Sequence, residues 1–519
     1  MTGPAAGEPY RPTETQARST RTRDGASAIL TVLALGLAFR LIIAHQLPGS
    51  GFQVDLVAFR FWAADLAREG LAGFYNRPFF HDYTPGYLYI LWLVGIVRQA
   101  AGNIGDLIKI PAILADVALG WLAWSMTLEL GASRRAALVA GALVIANPIT
   151  WFDSVVWGQV DSVGVVFLLL GLRELWRDRP ERSAILAVLA ALTKPQLGIL
   201  IPIVAVVVVR RALWPRGGFG NDDPPLPEPS TFTTERRALR WIRIPTTAIA
   251  GLLTAIALSI PFGLSLPGLV TQVFKTAGGY PYLSLNAYNP WALLSMNGTG
   301  IASNSGWVCD VVVHPGGPVA IGPFTIVAPT TSSCEPAFLF FGAIPAVIVG
   351  ALLFLAAAVA VLAVVARRPD RLTILVGLTV LAIAFFILPT RVHERYLFPL
   401  VALGAILAAV SWRWRVAYAL SSAATLANMY VVLTALYPNN PNVQDWFHIG
   451  PEIRSTTGVW VVALTQLAVF LWAATELRGA ARRRLEDEVG GLPTPAARVQ
   501  PAQPASADGS DTSERVELA

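Results

Sequence analysis

WGQVDS, Trp157 to Ser162, lies between apolar stretches at 136–152 and 161–174. Asp161 there belongs at a membrane surface or in a water-filled cavity, because a carboxylate buried in lipid costs several kcal/mol. Other polar residues recur at the ends of apolar segments: Asp55, Asp82, Asp153, Lys194 and the run Arg391-Val392-His393-Glu394-Arg395. If the topology places them on one face, they form one site.

The surrounding composition settles the class. Of 519 residues, 54% are hydrophobic and only 14% charged, against about 25% charged in a soluble domain. The sequence predicts an all-α, polytopic membrane protein. The net charge of +6 comes from arginine clusters between apolar segments, a pattern that orients membrane helices and gives no nucleic-acid partner. No P-loop GxxxxGK[ST] occurs, which argues against an ATP-driven pump. Two cysteines, Cys309 and Cys334, fall in one long loop, where a disulfide and two free thiols are both open.

Apolar spans begin at 27–46 and recur up to 456–477. Clusters at Arg18–Arg23, Arg134-Arg135, Arg173–Arg182, Arg210–Arg243, Arg367–Arg371, Arg413-Arg415 and Arg478–Arg484 read as cytoplasmic, since Lys and Arg favour that side. The opposite, extracytoplasmic face receives 47–83, 153–161, Lys194-Pro195, 264–337, 391–395 and 437–455. Every polar residue named above falls there. One conflict remains: three apolar segments separate the loops 47–83 and 153–161, where parity needs an even number. A short or re-entrant 84–98 resolves it, because Tyr83-Thr84-Pro85-Gly86 opens with poor helix formers. The count is therefore 12 or 13 transmembrane helices in a plasma-membrane domain over 27–478. Within it, 211–243 reads as a cytoplasmic linker and 264–337 as a long external loop with short amphipathic helices. Residues 1–26 and 479–519 read as disordered cytoplasmic ends.

Each candidate has a plainer reading. Asp55, flanked by apolar residues, is a proton acceptor or a solvated helix cap. Asp82 orients substrate or caps a helix with Thr84. Asp153 and Asp161 bracket Trp157 and Gln159, an aromatic face and an amide suited to a sugar. Asp161 also suits a helix cap. Lys194, beside Pro195 and Gln196, binds a lipid phosphate or snorkels to the interface. Arg391 and Arg395 suit a phosphate, His393 a metal or hydrogen bond, and Glu394 an arginine, or the four form a structural salt-bridge cluster. The loop Gly279–Tyr282 and Asn286–Trp291 covers a sugar or simply packs. A divalent metal, Mg or Mn, has candidate ligands in Asp55, Asp153, Asp161 and His393, and no cofactor is obligatory.

Together, Asp55 in the first external loop, Asn147-Pro148 followed by WFDSVVWGQVDS, then LTKPQ, then RVHERYLFP, resemble the polytopic glycosyltransferases of the GT-C superfamily. More narrowly they resemble bacterial relatives of the mannosyltransferases that add the second mannose to GPI anchors. The resemblance runs over about residues 27–440. It implies a GT-C-like fold and an inverting glycosyltransferase. This would move a hexose, with mannose favoured, from a polyprenyl-phosphate sugar donor to a lipid-linked or cell-envelope glycan acceptor on the extracytoplasmic face. It makes Asp55 the general base and gives Lys194 and the RVHER arginines the donor phosphate. The competing reading is a polytopic transporter or flippase of lipid-linked saccharides, which would place carboxylates at the membrane midplane.

Overall fold

A computed structural model describes residues 14–102, 106–214, 234–313, 319–321, 324–326 and 334–490. Helices dominate. The first part holds α1 (Glu14–Gln46), α2 (Gln53–Glu69), α3 (Pro85–Ala101), α4 (Ile110–Glu129), α5 (Arg134–Ala146) and α6 (Pro148–Trp151). A π-helical turn, Phe152–Trp157, follows, then α7 (Asp161–Trp176), α8 (Pro180–Thr193), α9 (Leu200–Leu213) and α10 (Thr234–Ser259). Beyond these lie α11 (Leu266–Gly278), the short hairpin strands β1 (Val319–Ile321) with β2 (Phe324–Ile326), and β3 (Leu339–Phe340) with β4 (Ile344–Pro345). The chain closes with α12 (Ala346–Arg367), α13 (Arg371–Ile387), α14 (Pro399–Val410), α15 (Trp412–Val431), α16 (Gly450–Arg454), α17 (Thr456–Thr475) and α18 (Gly479–Gly490).

Local chemistry sets the boundaries. Pro85, Pro148, Pro180 and Pro399 open helices, where a missing N–H costs nothing. Asp370 caps α13 by accepting from Leu372 N at 3.1 Å and Thr373 N at 3.0 Å, which satisfies two orphan donors of the first turn. Ser133 and Ser455 cap α5 and α17 by each accepting from one backbone N–H, that of Ala136 and of Gly458.

Contacts among the connecting segments sort them into two ends. At the arginine end, Glu129 pairs with Arg173 and Arg177, and its carbonyl accepts from Arg371. Arg243 pairs with Asp178 at 2.8 Å and Arg210 donates to the Ala366 carbonyl at 2.9 Å. At the other end, Gln53 N donates to Asn440 Oδ1 at 3.2 Å, Leu285 N to Val392 O at 3.0 Å and Thr456 Oγ1 to Ala302 O at 2.7 Å. Among the described residues, twelve helical segments run between these ends: α1, α4, α5 with α6 and the π turn, α7, α8, α9, α10, α12, α13, α14, α15 and α17. This is a multi-pass membrane protein.

Among the described residues, eight helices are long and apolar enough to cross a membrane by that measure alone. The remaining passes are short. α13 and α14, at 17 and 12 residues, are buried on nearly every side. Helices that are apolar all round occupy a core, and these two need no lipid-facing length of their own. Lipid-facing surface falls instead to helices such as α1, α10, α12 and α17, among which α10 and α12 expose Leu252, Leu253, Ile348, Leu352 and Leu355.

α3 does not cross. Its first turn is held at the site end, where Thr84 Oγ1 donates to Leu192 O at 2.7 Å. Just past its last turn, Asp106 accepts from Gly49 N at 3.0 Å and Lys109 donates to Ser50 Oγ at 2.9 Å, again at the site end. The helix therefore lies across that end, packed on α2. A Cβ on Gly95 would stand 2.0 Å from the Ala63 carbonyl oxygen, so only glycine permits the approach. The parity conflict resolves with 84–98 as a non-crossing element.

Both ends expected to be disordered include helix. The α1 backbone is helical from Glu14, while residues 1–13 lie outside the described residues. The tail expected from 479 begins as α18. Its Leu485 is buried, Arg482 pairs with Asp370 at 2.9 Å and Arg484 with Glu476 at 2.6 Å. Charge pairing to the loops at the arginine end offsets its low hydrophobicity. Residues 491–519 lie outside the described residues. The linker expected at 211–243 shortens, because α9 runs to Leu213 and α10 starts at Thr234; its residues 215–233 also lie outside.

Cysteines introduced at Ala72 and Ala101 should react with a membrane-impermeant maleimide from the same side of sealed vesicles, and one at Arg134 from the other. Labelling of Ala101→Cys together with Arg134→Cys would make α3 a crossing helix.

Candidate functional site

The site is assembled where the π turn meets the start of α2. Phe52 N donates to Trp157 O at 2.9 Å. A Cβ on Gly51 would stand 2.5 Å from that same oxygen, and Gly51 has φ 130°. Glycine is required there. Gly158, at φ 83°, turns the chain out of the π turn. The Asp153 carbonyl then accepts from both Gly158 N (3.0 Å) and Gln159 N (2.9 Å). The wide turn thus closes on the residue whose side chain faces Asp55.

Five side chains close a ring. Gln159 Nε2 donates to Asp55 Oδ2, and Gln159 Oε1 accepts from Lys194 Nζ at 3.2 Å. Lys194 Nζ also donates to Asp161 Oδ2 at 2.6 Å. Arg395 lies 3.8 Å from Asp161 Oδ2 and 3.6 Å from Asp55 Oδ2. Its other terminal nitrogen bonds Glu394 Oε1 at 2.7 Å, and its guanidinium sits 5.6 Å from the Trp157 ring centre. Tyr83 Oη approaches Gln159 Oε1 at 3.5 Å. Asp55 is the accessible member: its side chain is 25% exposed, against 4% for Asp161 and 6% for Lys194.

These contacts decide several alternatives. Lys194 does not snorkel, since its ammonium is buried and paired. Asp161 is not the cap of α7; that position is Val160, with no side-chain cap, and Asp161 serves Lys194 instead. Arg391 departs from the group: Asp310 of the long loop takes it at 2.8 and 3.0 Å and also accepts from Thr390 Oγ1 at 2.6 Å. Asp310 was missed because nothing in its local sequence marks a partner 81 positions away. Its neighbour Cys309 forms a disulfide with Cys334, so the two thiols are paired. The aromatic loop lies over the 391–395 turn through the Leu285–Val392 bond and a 3.1 Å bond from Arg391 N to Tyr282 O. Gln196 is half-buried in the 3-10 turn after Lys194.

Asp153 is buried, and neither carboxylate oxygen has a hydrogen-bond partner among the described residues. No group of three or more His, Cys, Asp or Glu among the described residues is arranged to hold a metal. Asp55, Asp153, Asp161 and His393 are therefore not brought together as a ligand set. Asp55 and Asp161 face the Lys194 and Arg395 cations instead.

Within the ring, Lys194 and Arg395 stand against Asp55 and Asp161, and Glu394 adds a third carboxylate beside Arg395. Burial raises the Asp55 carboxyl, while Arg395, Lys194 and Gln159 pull it back down. Burial and the nearby Asp55 charge push Asp82 up to about 7. Glu394 is raised by burial against its Arg395 partner. His393 is held well below its usual range by burial and then by the Arg395 and Lys194 charges, so it is neutral at pH 7.

A second buried pair went unread in the sequence. Arg40 of α1 and Asp116 of α4 meet at 2.7 Å with no exposure, held by Thr150 and Ser154. A charge inside each of two apolar spans was the available signal.

No family model matches the chain, and no curated protein matches it. Among solved structures, the crystal structure of ArnT from Cupriavidus metallidurans bound to undecaprenyl phosphate is similar at 15% identity, covering 89% of this chain and 74% of that one. The TM-score is 0.41.

Lys194→Met should destabilise the fold by about 3–5 kcal/mol, because it strands Asp161 beside one distant guanidinium. The double variant Lys194→Met/Asp161→Leu should regain most of that loss. Thermal unfolding in detergent reads both. An unchanged melting temperature in the single variant would mean the pair carries no stability.

Proposed function

We propose that the protein is an inverting glycosyltransferase that moves a hexose from a polyprenyl-phosphate sugar to a lipid-linked or cell-envelope glycan acceptor. Mannose is the sugar favoured by the sequence resemblance. The observation that carries the reading is one ring that sets an accessible carboxylate, Asp55, 3.6 Å from a buried guanidinium, Arg395, beside the buried ammonium of Lys194. A proton acceptor next to two fixed cations suits a reaction in which a hydroxyl is deprotonated and a phosphate oxygen leaves with negative charge.

In this reading Asp55 takes the proton of the acceptor hydroxyl as that oxygen attacks the anomeric carbon. The bond from that carbon to the phosphate oxygen breaks with inversion, and the electron pair leaves with the polyprenyl phosphate. Arg395 and Lys194 stabilise the added charge, which is electrostatic catalysis in a water-poor site. Gln159 holds Asp55 in line and Trp157 offers an aromatic face. The location of the ring at the end opposite the arginine clusters supports an extracytoplasmic site, because those clusters favour the cytoplasm. The same end-of-bundle placement weighs against a transporter, whose carboxylates would sit at the midplane.

Asp55→Asn should abolish transfer of radiolabelled sugar from a polyprenyl-phosphate donor in membranes, with the protein still monodisperse in detergent. Retained transfer would remove Asp55 as the base. Asp82 carries a sign-defined pH effect. Below about pH 7 it is protonated and the site loses a negative charge, so an anionic donor binds better; above it the apparent KM should rise. Asp82→Asn should flatten that rise. A KM profile identical to the parent would show that Asp82 does not act on the donor.

A further inference from the structure

α11, Leu266–Gly278, divides its surface three ways. Leu269 and Gln272 face the protein. Leu266, Val270 and Phe274 recur every four residues along one exposed edge, with Phe274 73% exposed. Residues four apart stack on one face of a helix. Thr271 and Lys275 form the other exposed edge. The helix is fixed to its neighbours by polar bonds: Gln272 Nε2 donates to His81 O at 3.1 Å and Thr276 Oγ1 to Asp82 O at 2.6 Å. Ser265 caps its start by accepting from Gly268 N at 3.2 Å.

The apolar edge continues a lipid-facing surface already described. α10 exposes Ile249, Leu252 and Leu253 along its pass and its following turn exposes Ile260, only six residues before Leu266. A chain that has just left the membrane has little length in which to carry its next helix away from the bilayer surface. An edge of Leu, Val and Phe beside an edge of Thr and Lys is the division that seats a helix in the headgroup boundary.

We infer that α11 is a membrane-surface helix, with Leu266, Val270 and Phe274 seated in the bilayer interface and Thr271 and Lys275 toward water. The bilayer, through this helix, then positions the His81-Asp82 segment, because Gln272 and Thr276 grip that backbone. This inference concerns lipid contact and stands apart from the proposed transferase activity.

The test uses the full chain in lipid nanodiscs, with its native disulfide intact and single added cysteines carrying a bimane fluorophore. Labels at Val270→Cys and Phe274→Cys should be quenched several-fold more by shallow doxyl-labelled phosphatidylcholine than labels at Thr271→Cys and Lys275→Cys. The latter pair should be quenched more by aqueous iodide. Iodide quenching at all four positions would place the helix in water and overturn the inference. Protection of Val270 and Phe274 from both quenchers would mean that a protein partner or a second copy covers the edge, and would overturn it equally.

Discussion

The buried ammonium of Lys194 is the constraint on which the site end depends. A charge of that kind is tolerated only with close partners, and Asp161 and Gln159 supply them from one turn of chain. Satisfying Lys194 fixes Gln159, whose other end holds Asp55. Satisfying Asp161 draws in Arg395, and with it Glu394 and the turn after α13. Charge pairing thus ties α2, α7, α8 and the 391–395 turn together, although each is only a short polar interruption in apolar sequence. Such a cluster gives modest net stability against its desolvation cost. Its effect is to specify where four elements end.

The membrane class and the grouping of WGQVDS, LTKPQ and RVHER were legible because charge in an apolar chain is expensive and therefore conspicuous. Arginine position gave the direction of each pass, and parity pointed at 84–98. Three things were not legible. Arg391 reads like Arg395 in sequence, yet a long-range partner, Asp310, removes it from the ring. α18 has a charged, weakly amphipathic sequence, and its pairing with Asp370 depends on a loop over a hundred positions earlier. Span number could not be read from length, because α13 and α14 are shielded by neighbouring helices and need not span lipid unaided.

The Arg40–Asp116 pair shows a different use of buried charge. Both residues lack exposure, and the carboxylate is also bonded by Ser154, itself part of the π turn. The pair links α1 and α4 to the element that carries the ring. Its hydrogen bonds to Thr150 and the Ile145 carbonyl leave the guanidinium little freedom, which suits a fixed brace rather than a moving charge.

The π turn has a consequence for how such a site is encoded. A π turn accommodates one peptide unit more than an α-turn in the same rise. Losing a single residue between Phe152 and Trp157 would let the helix close as an ordinary α-turn and leave the chain after it close to its present place. Gln159 would still reach Asp55, and the change would fall on the wide turn itself, where Asp153 sits. The extra residue thus shapes the wall beside the ring rather than the ring, and chains that share the ring geometry would align across a one-residue gap at this turn.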